Sequence, residues 1–171
     1  MILNAAENLK MAGKITAVRL TQTVEGLDLN GKSIVLSKPV TVDMNCVYDG
    51  EGLNVTGTLE SAVRMNCTRC NEEFTEDFSV DFSERFLRVS ESEADELECY
   101  PFSDDTVSLD KMVQDLLILN TPIYGVCRPD CKGLCPECGA NLNYQKCSCG
   151  DSNDNSPFAA LKELKERLKD Q

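Results

Sequence analysis

The sequence predicts an α+β fold: an antiparallel β-meander covered by a helix, then a cysteine-rich carboxy-terminal module and a terminal helix. Three observations predict it. Between Pro39 and Phe86, three consecutive segments alternate apolar and polar residues, with turn signals between them. From Leu109 to Leu117, apolar residues recur at helical spacing. Between Cys127 and Cys149 the chain carries six of its ten cysteines.

Residues 1–35 are mixed: GKITAVRL, from Gly13, reads as a strand, and the first dozen residues read as a short helix or a frayed end. After Pro39 the pattern sharpens. Val40, Val42, Met44, Cys46 and Tyr48 alternate with Thr41, Asp43, Asn45 and Val47, the period of a half-buried strand. Asp49-Gly50-Glu51-Gly52 is a turn signal. A second strand puts Leu53, Val55, Leu59, Val63, Met65 and Cys67 on one face, and a third does the same with Phe74, Phe78, Val80, Phe82 and Phe86. Consecutive amphipathic strands joined by short turns give an antiparallel meander with one solvated face.

Seven acidic residues between Glu91 and Asp105 predict a solvated, mobile loop. Ser108 is then expected to cap a helix whose stripe is Leu109, Met112, Val113, Leu116 and Leu117, and Pro122 stops it. That helix is expected to cover the apolar face of the sheet. In the closing segment, Ser156-Pro157 reads as a helix start, Phe158, Leu161, Leu164 and Leu168 as a narrow apolar stripe, and Glu163–Arg167 as a favourable pair. The expected organisation is a β-rich α+β domain over 1–122, a cysteine module over 123–151 packed on it, and a linker with terminal helix over 152–171.

Composition narrows the function classes. The chain has 171 residues, a 42% hydrophobic fraction, 6% aromatics and no Trp, so the core must rely on Leu, Val, Met and a few Phe. The formal charge of −12 repels phosphate over much of the surface and favours basic partners. The absence of histidine removes the commonest general base and disfavours hydrolases and open catalytic zinc sites. No apolar stretch approaches the roughly 20 residues of a membrane span. A cytoplasmic location is expected, where thiols stay reduced and clustered cysteines read as metal ligands sooner than as disulfides.

The cysteine spacing carries the chemistry. Cys135-Pro136-Glu137-Cys138-Gly139 is a CPxCG zinc knuckle: two thiolates on a tight turn can grip one tetrahedral ion, with the turn's amides directed at the sulfurs. Cys147 and Cys149 lie a short loop away and can complete that set. A second CxxC, Cys67-Thr68-Arg69-Cys70, falls at the turn between the second and third strands. The economical arrangement is two four-thiolate sites, one of Cys67, Cys70, Cys127 and Cys131, the other of Cys135, Cys138, Cys147 and Cys149. Such sites are closed and structural, with zinc preferred to an iron–sulfur cluster. A redox-active pair is the rival for Cys67 and Cys70, but a thioredoxin-type motif opens a helix, and here strands flank it. Cys46 reads as a buried hydrophobe, and Cys99 has no evident partner. Arg64, Arg69, Arg128 and Lys132, with Lys146, cluster near the cysteines and read as charge compensation, with an RNA- or partner-binding patch as the sharper alternative.

These residues also resemble a known family. GKITAVRL, the strands leading to MNCTRCNEEF, the helix running into LNTPIYGVC, then CRPDCKGLCPECGANLN, CSC and a closing helix are similar to the YceD family over nearly the whole chain. The most specific parts are CxRC followed by an acidic–aromatic pair, and CKGLCPxCGxNLN. The resemblance implies a part in accumulation of large-subunit ribosomal RNA, hence in ribosome biogenesis. By position, the family's cysteine pair falls on Cys67 and Cys70, and its carboxy-terminal cluster on Cys127, Cys131, Cys135, Cys138, Cys147 and Cys149. The closing segment often reads DPR in the family and is NSPF here. The resulting expectation is a non-enzymatic zinc factor, with pre-ribosomal large-subunit RNA or a basic ribosomal protein as partner and neither a membrane nor a small-molecule substrate. The alternatives are a zinc-stabilised adaptor and a thiol redox protein.

Overall fold

The computed structural model describes residues 1–24, 26–29 and 32–149. In chain order the elements are β1 (Ile2–Asn4), α1 (Ala6–Lys10), β2 (Ile15–Gln22), β3 (Leu27–Leu29), β4 (Lys32–Leu36), β5 (Val40–Tyr48), β6 (Gly52–Asn66) and β7 (Glu73–Leu87). Then follow α2 (Glu91–Glu96), β8 (Tyr100–Pro101), β9 (Thr106–Ser108) and α3 (Asp110–Asn120). The expected terminal helix, its cap at Ser156-Pro157, its stripe and its ion pair lie outside the described residues.

The protein is a mixed α+β fold, mostly strands with few helices. Among the described residues the main sheet has seven strands, and β6 is its spine. One edge of β6 pairs antiparallel with β5 from Leu53 to Glu60 and then with β4 at Val63 and Arg64. The other edge pairs with β7 along its whole length, from Gly52↔Leu87 to Asn66↔Glu73. This long hairpin carries the Cys67–Cys70 turn at its tip.

The period-two pattern explains the burial. Val40, Val42, Met44 and Cys46 of β5, and Leu53, Val55, Leu59 and Val63 of β6, are buried; their alternating neighbours are wholly or partly exposed, except Gly52 and Ala62 of β6, which are buried as well. Met112, Val113, Leu116 and Leu117 of α3, with Leu109 just before it, join these strands in one core. Removing such side chains from water contributes roughly 2 kcal/mol each. Asn8 of α1 is only 2% exposed, and its amide donates to the carbonyls of Cys46 (2.9 Å) and Lys14 (3.1 Å), so its burial is compensated.

Two expectations need correction. Residues 91–105 are not a solvated loop. Ser90 and Glu93 form a reciprocal capping box that starts α2, and β8 pairs in parallel with the end of β7. Ala94, Cys99 and Phe102 of this segment are buried. The acidic residues are the solvated side of an ordered element. Nor does Ser108 occupy the cap position of α3: Leu109 does, and Ser108 ends β9. Its hydroxyl still accepts the Asp110 amide at 3.4 Å.

Candidate metal centres

The two halves of the first cluster are built by different means. Cys67 and Cys70 stand on the β6–β7 turn. The Cys67 amide donates to the Glu72 carbonyl (2.8 Å) and the Asn71 amide to the Cys67 carbonyl (2.9 Å), with Asn71 in the left-handed region at φ 60°. The second cluster starts from the same turn. The Cys135 amide donates to Ala140 (2.8 Å) and the Gly139 amide to Cys135 (2.9 Å), with Gly139 at φ 71°. A left-handed residue must follow the second cysteine to close this turn. Glycine does so at little steric cost, and asparagine is among the few side chains that tolerate it.

The structure brings the cysteines together as two sets, Cys67, Cys70, Cys127 and Cys131, and Cys135, Cys138, Cys147 and Cys149, the sulfurs of each within 4.8 Å of one another. In the first set Cys67 Sγ lies 3.8 Å from Cys131 Sγ, and Cys70 Sγ lies 3.7 Å from Cys127 Sγ. A tetrahedral ion with metal–sulfur bonds of about 2.3 Å has sulfur–sulfur edges of about 3.8 Å. The spacing and the all-sulfur donor set thus fit a tetrahedral, thiophilic ion, and both clusters can hold one. Cys46 and Cys99 join neither set. Burial pushes the Cys46 thiol up to about 11.

Electrostatics divides the sulfurs within each set. Burial raises the Cys67 thiol, but the amides of Cys127, Cys70 and Arg69 outweigh it and bring it down to about 6. The Asn143 side chain lowers Cys131. Cys70 is lowered by the Glu72 amide, yet burial and the neighbouring sulfurs push it up to about 12. Burial raises Cys127. In the second set the amides of Cys138 and Glu137 bring Cys135 down to about 7. The sulfur of Cys135 raises Cys147, and that of Cys138 pushes Cys149 up to about 12. Four sulfurs this close cannot all ionise without a cation among them.

The sets differ in exposure. Cys67, Cys70 and Cys131 are buried with Cys127 half-buried, whereas Cys138 and Cys149 are exposed. The four cations singled out beside the cysteines are scattered in role. Arg64 pairs with Glu73 at 3.7 Å, and Arg128 with Asp130 at 3.6 Å. Arg69 donates to the carbonyls of Cys131 (3.0 Å) and Pro129 (3.4 Å), binding the hairpin tip to the tail. Lys132 takes part through its backbone amide, not its charge: that amide donates to the Asn143 side chain at 2.8 Å.

Sequence reasoning missed Asn71, Asn141, Asn143 and Tyr144. Asn143 donates to Cys131 Sγ at 3.4 Å and Tyr144 to Glu72 at 3.1 Å. The NLNY run following CPxCG was the available signal, but nothing local says that its amide reaches a sulfur of the other set.

The fold and these clusters define a strand-rich α+β protein carrying two candidate four-cysteine metal centres. The family described as large ribosomal RNA subunit accumulation protein YceD matches residues 55–165, more than half of the chain. The chain belongs to the YceD family. It is 24% identical over 159 residues to the large ribosomal RNA subunit accumulation protein YCED homolog 1, chloroplastic, of Arabidopsis thaliana, covering 76% of this chain and 50% of that protein. It is 33% identical over 104 residues to an uncharacterized protein of Mycobacterium tuberculosis, covering 59% and 50%, and 26% identical over 149 residues to the Zea mays YCED homolog 1, covering 67% and 50%. The chain thus spans about half the length of these curated relatives. No solved structure matches it. Among the described residues, no helix is long and apolar enough to cross a membrane.

Proposed function

We propose that this chain is a non-enzymatic zinc-binding factor that supports accumulation of large-subunit ribosomal RNA and thereby ribosome biogenesis. It would act in a reducing compartment such as the cytoplasm, through pre-ribosomal large-subunit RNA, a basic ribosomal protein, or both. The observation that carries the metal part is the gathering of eight thiols into two four-sulfur sets. Four thiolates fill a tetrahedral ion and leave no position for an activated water, so the zinc is scaffold. Family membership supports the ribosomal part, and the −12 charge favours a basic protein contact. Burial of Cys67 and Cys70 to 3% and 4% exposure weighs against a thiol redox enzyme, whose attacking sulfur must be reached. A zinc-stabilised adaptor unrelated to ribosomes is the second reading.

Elemental analysis of the freshly purified chain should give about two zinc ions per molecule, with Cys67→Ser and Cys138→Ser each losing about one. Co-sedimentation with large-subunit precursors, weakening as salt rises, is the expected ribosomal signature. Its absence leaves the adaptor, and a zinc content untouched by Cys67→Ser removes the site that joins hairpin to tail.

A further inference from the structure

We infer that the loop closed by the second cluster is also the outer shell of the first, so that an ion in one strengthens binding in the other, with Asn143 as the coupling residue. The inference rests on the proposal that both clusters take zinc.

Segment 131–134, which carries the ligand Cys131, is held from two sides. On one side stands the hairpin tip: Arg69 donates to the Cys131 carbonyl, and the Leu134 amide donates to the Arg69 carbonyl at 3.0 Å. On the other side stands the loop between Cys138 and Cys147. Its Leu142 amide donates to Gly133 at 2.9 Å. The Asn143 side chain accepts from the Lys132 amide at 2.8 Å and donates to Cys131 Sγ at 3.4 Å. Asn141 Oδ1 accepts from both the amide nitrogen and the side-chain nitrogen of Asn143, at 3.0 and 2.9 Å, which fixes its direction.

An ion joining Cys138 to Cys147 pins both ends of this loop and so orders Asn143 against the Cys131 sulfur. A hydrogen bond to a ligating sulfur stabilises the thiolate and aims it, and groups in this position are worth about 10- to 100-fold in metal affinity. Because the coupling is a free energy shared by two sites, the first ion must help the second by the same factor.

The test is a zinc titration of the full chain against a competing chelator, with the number of ions bound followed by native mass spectrometry. Cys138→Ser with Cys149→Ser gives the first cluster's affinity alone, and Cys67→Ser with Cys70→Ser gives the second's. The two-ion constant of the unaltered chain is expected to exceed the product of those single-cluster constants by about tenfold or more. In Asn143→Leu, introduced into the unaltered chain and both single-cluster backgrounds, that excess is expected to fall by about tenfold, the Leu142–Gly133 backbone bond keeping any remainder. Asn143→Ser and far-UV circular dichroism control for loss of the sheet. A two-ion constant equal to the product overturns the coupling while leaving the zinc reading intact, and an excess that survives Asn143→Leu and Asn143→Ser undiminished overturns the role of Asn143. Failure of the unaltered chain to take two ions overturns the zinc reading and the coupling together.

Discussion

Stripping metal from the folded chain is expected to release the tail while the sheet stays folded. From Cys127 onward, the tail is tied to the hairpin tip by the Cys127 amide at the Cys67 sulfur and by four further hydrogen bonds: Arg69 to the Cys131 and Pro129 carbonyls, Leu134 to Arg69, and Tyr144 to Glu72. At about 1 kcal/mol each these contribute about 5 kcal/mol. Ordering the 23 residues from Cys127 to Cys149 costs at least about 1 kcal/mol apiece, several times more. The apolar contribution is small, because among the described residues the buried cluster there is Cys67, Cys70 and Cys131, joined by Phe74, Val126 and Cys127. A structural zinc of the kind proposed would contribute about 10 kcal/mol or more, so ions in the two clusters would decide whether the tail is ordered. Among the described residues the main core draws on none beyond Leu117, so the sheet is expected to hold without the ions. Hydrogen–deuterium exchange before and after chelation is the assay. Amides of 127–149 should exchange at unprotected rates in the stripped protein, while those of β5 and β6 keep their protection. Persistent protection of 127–149 in protein verified as metal-free would refute the reasoning, as would melting of the sheet along with the tail.

Three further outcomes are expected. Asn71→Ala should cost about 1 kcal/mol in urea unfolding of the metal-loaded protein, because alanine resists the left-handed angle that Asn71 holds, whereas Asn71→Gly should lie within about 0.5 kcal/mol of neutral. Gly57→Ala should destabilise by about 2 kcal/mol or more in the same measurement, since a Cβ there would stand 2.0 Å from the Asp43 carbonyl oxygen and 2.7 Å from the Met44 Cα in the neighbouring strand. The amides of Gly52 and Glu51, with Asn54 and Arg85, hold the Asp49 carboxyl well below its usual 3.8; its contribution is present above pH 3.8 and lost as pH falls below it, so Asp49→Asn should flatten the acid limb of a stability-versus-pH curve.

Much of the scaffold is legible in the sequence because its signals are local. The alternation through β5 and β6 survives in the burial of Val40, Val42, Met44, Leu53, Val55 and Leu59, and the helical stripe survives in Met112, Val113, Leu116 and Leu117. Spacing suggests two sets, since two CxxC pairs must each find two more sulfurs, but how the other four cysteines divide between them is visible only once the fold brings them together. The order within residues 91–105 was legible too: Ser90 and Glu93 have capping-box spacing, but the acidic composition masked it. The pairing of β3 with β4 was overlooked, although Asn30-Gly31 between them is a hairpin signal. The roles of Arg69 and Asn143 were not legible in any local sense. The Cys131 carbonyl that Arg69 reaches is 62 residues away, and the sulfur that Asn143 reaches belongs to the other cluster.

The placement of these two residues bears on the basic patch. Beside the cysteines, Arg64 and Arg128 are matched to carboxylates and Arg69 to backbone carbonyls. An ion held by four thiolates carries two net negative charges, so cations around two such sites have a compensating task before any phosphate arrives. An RNA contact through Arg69 would have to give up the bonds that join the hairpin tip to segment 131–134, and with them part of the shell around Cys131. Direct RNA binding at this place and the proposed metal scaffolding would therefore compete for the same guanidinium. The economical division leaves Arg69 to the scaffold and the partner contact to surfaces the clusters do not use.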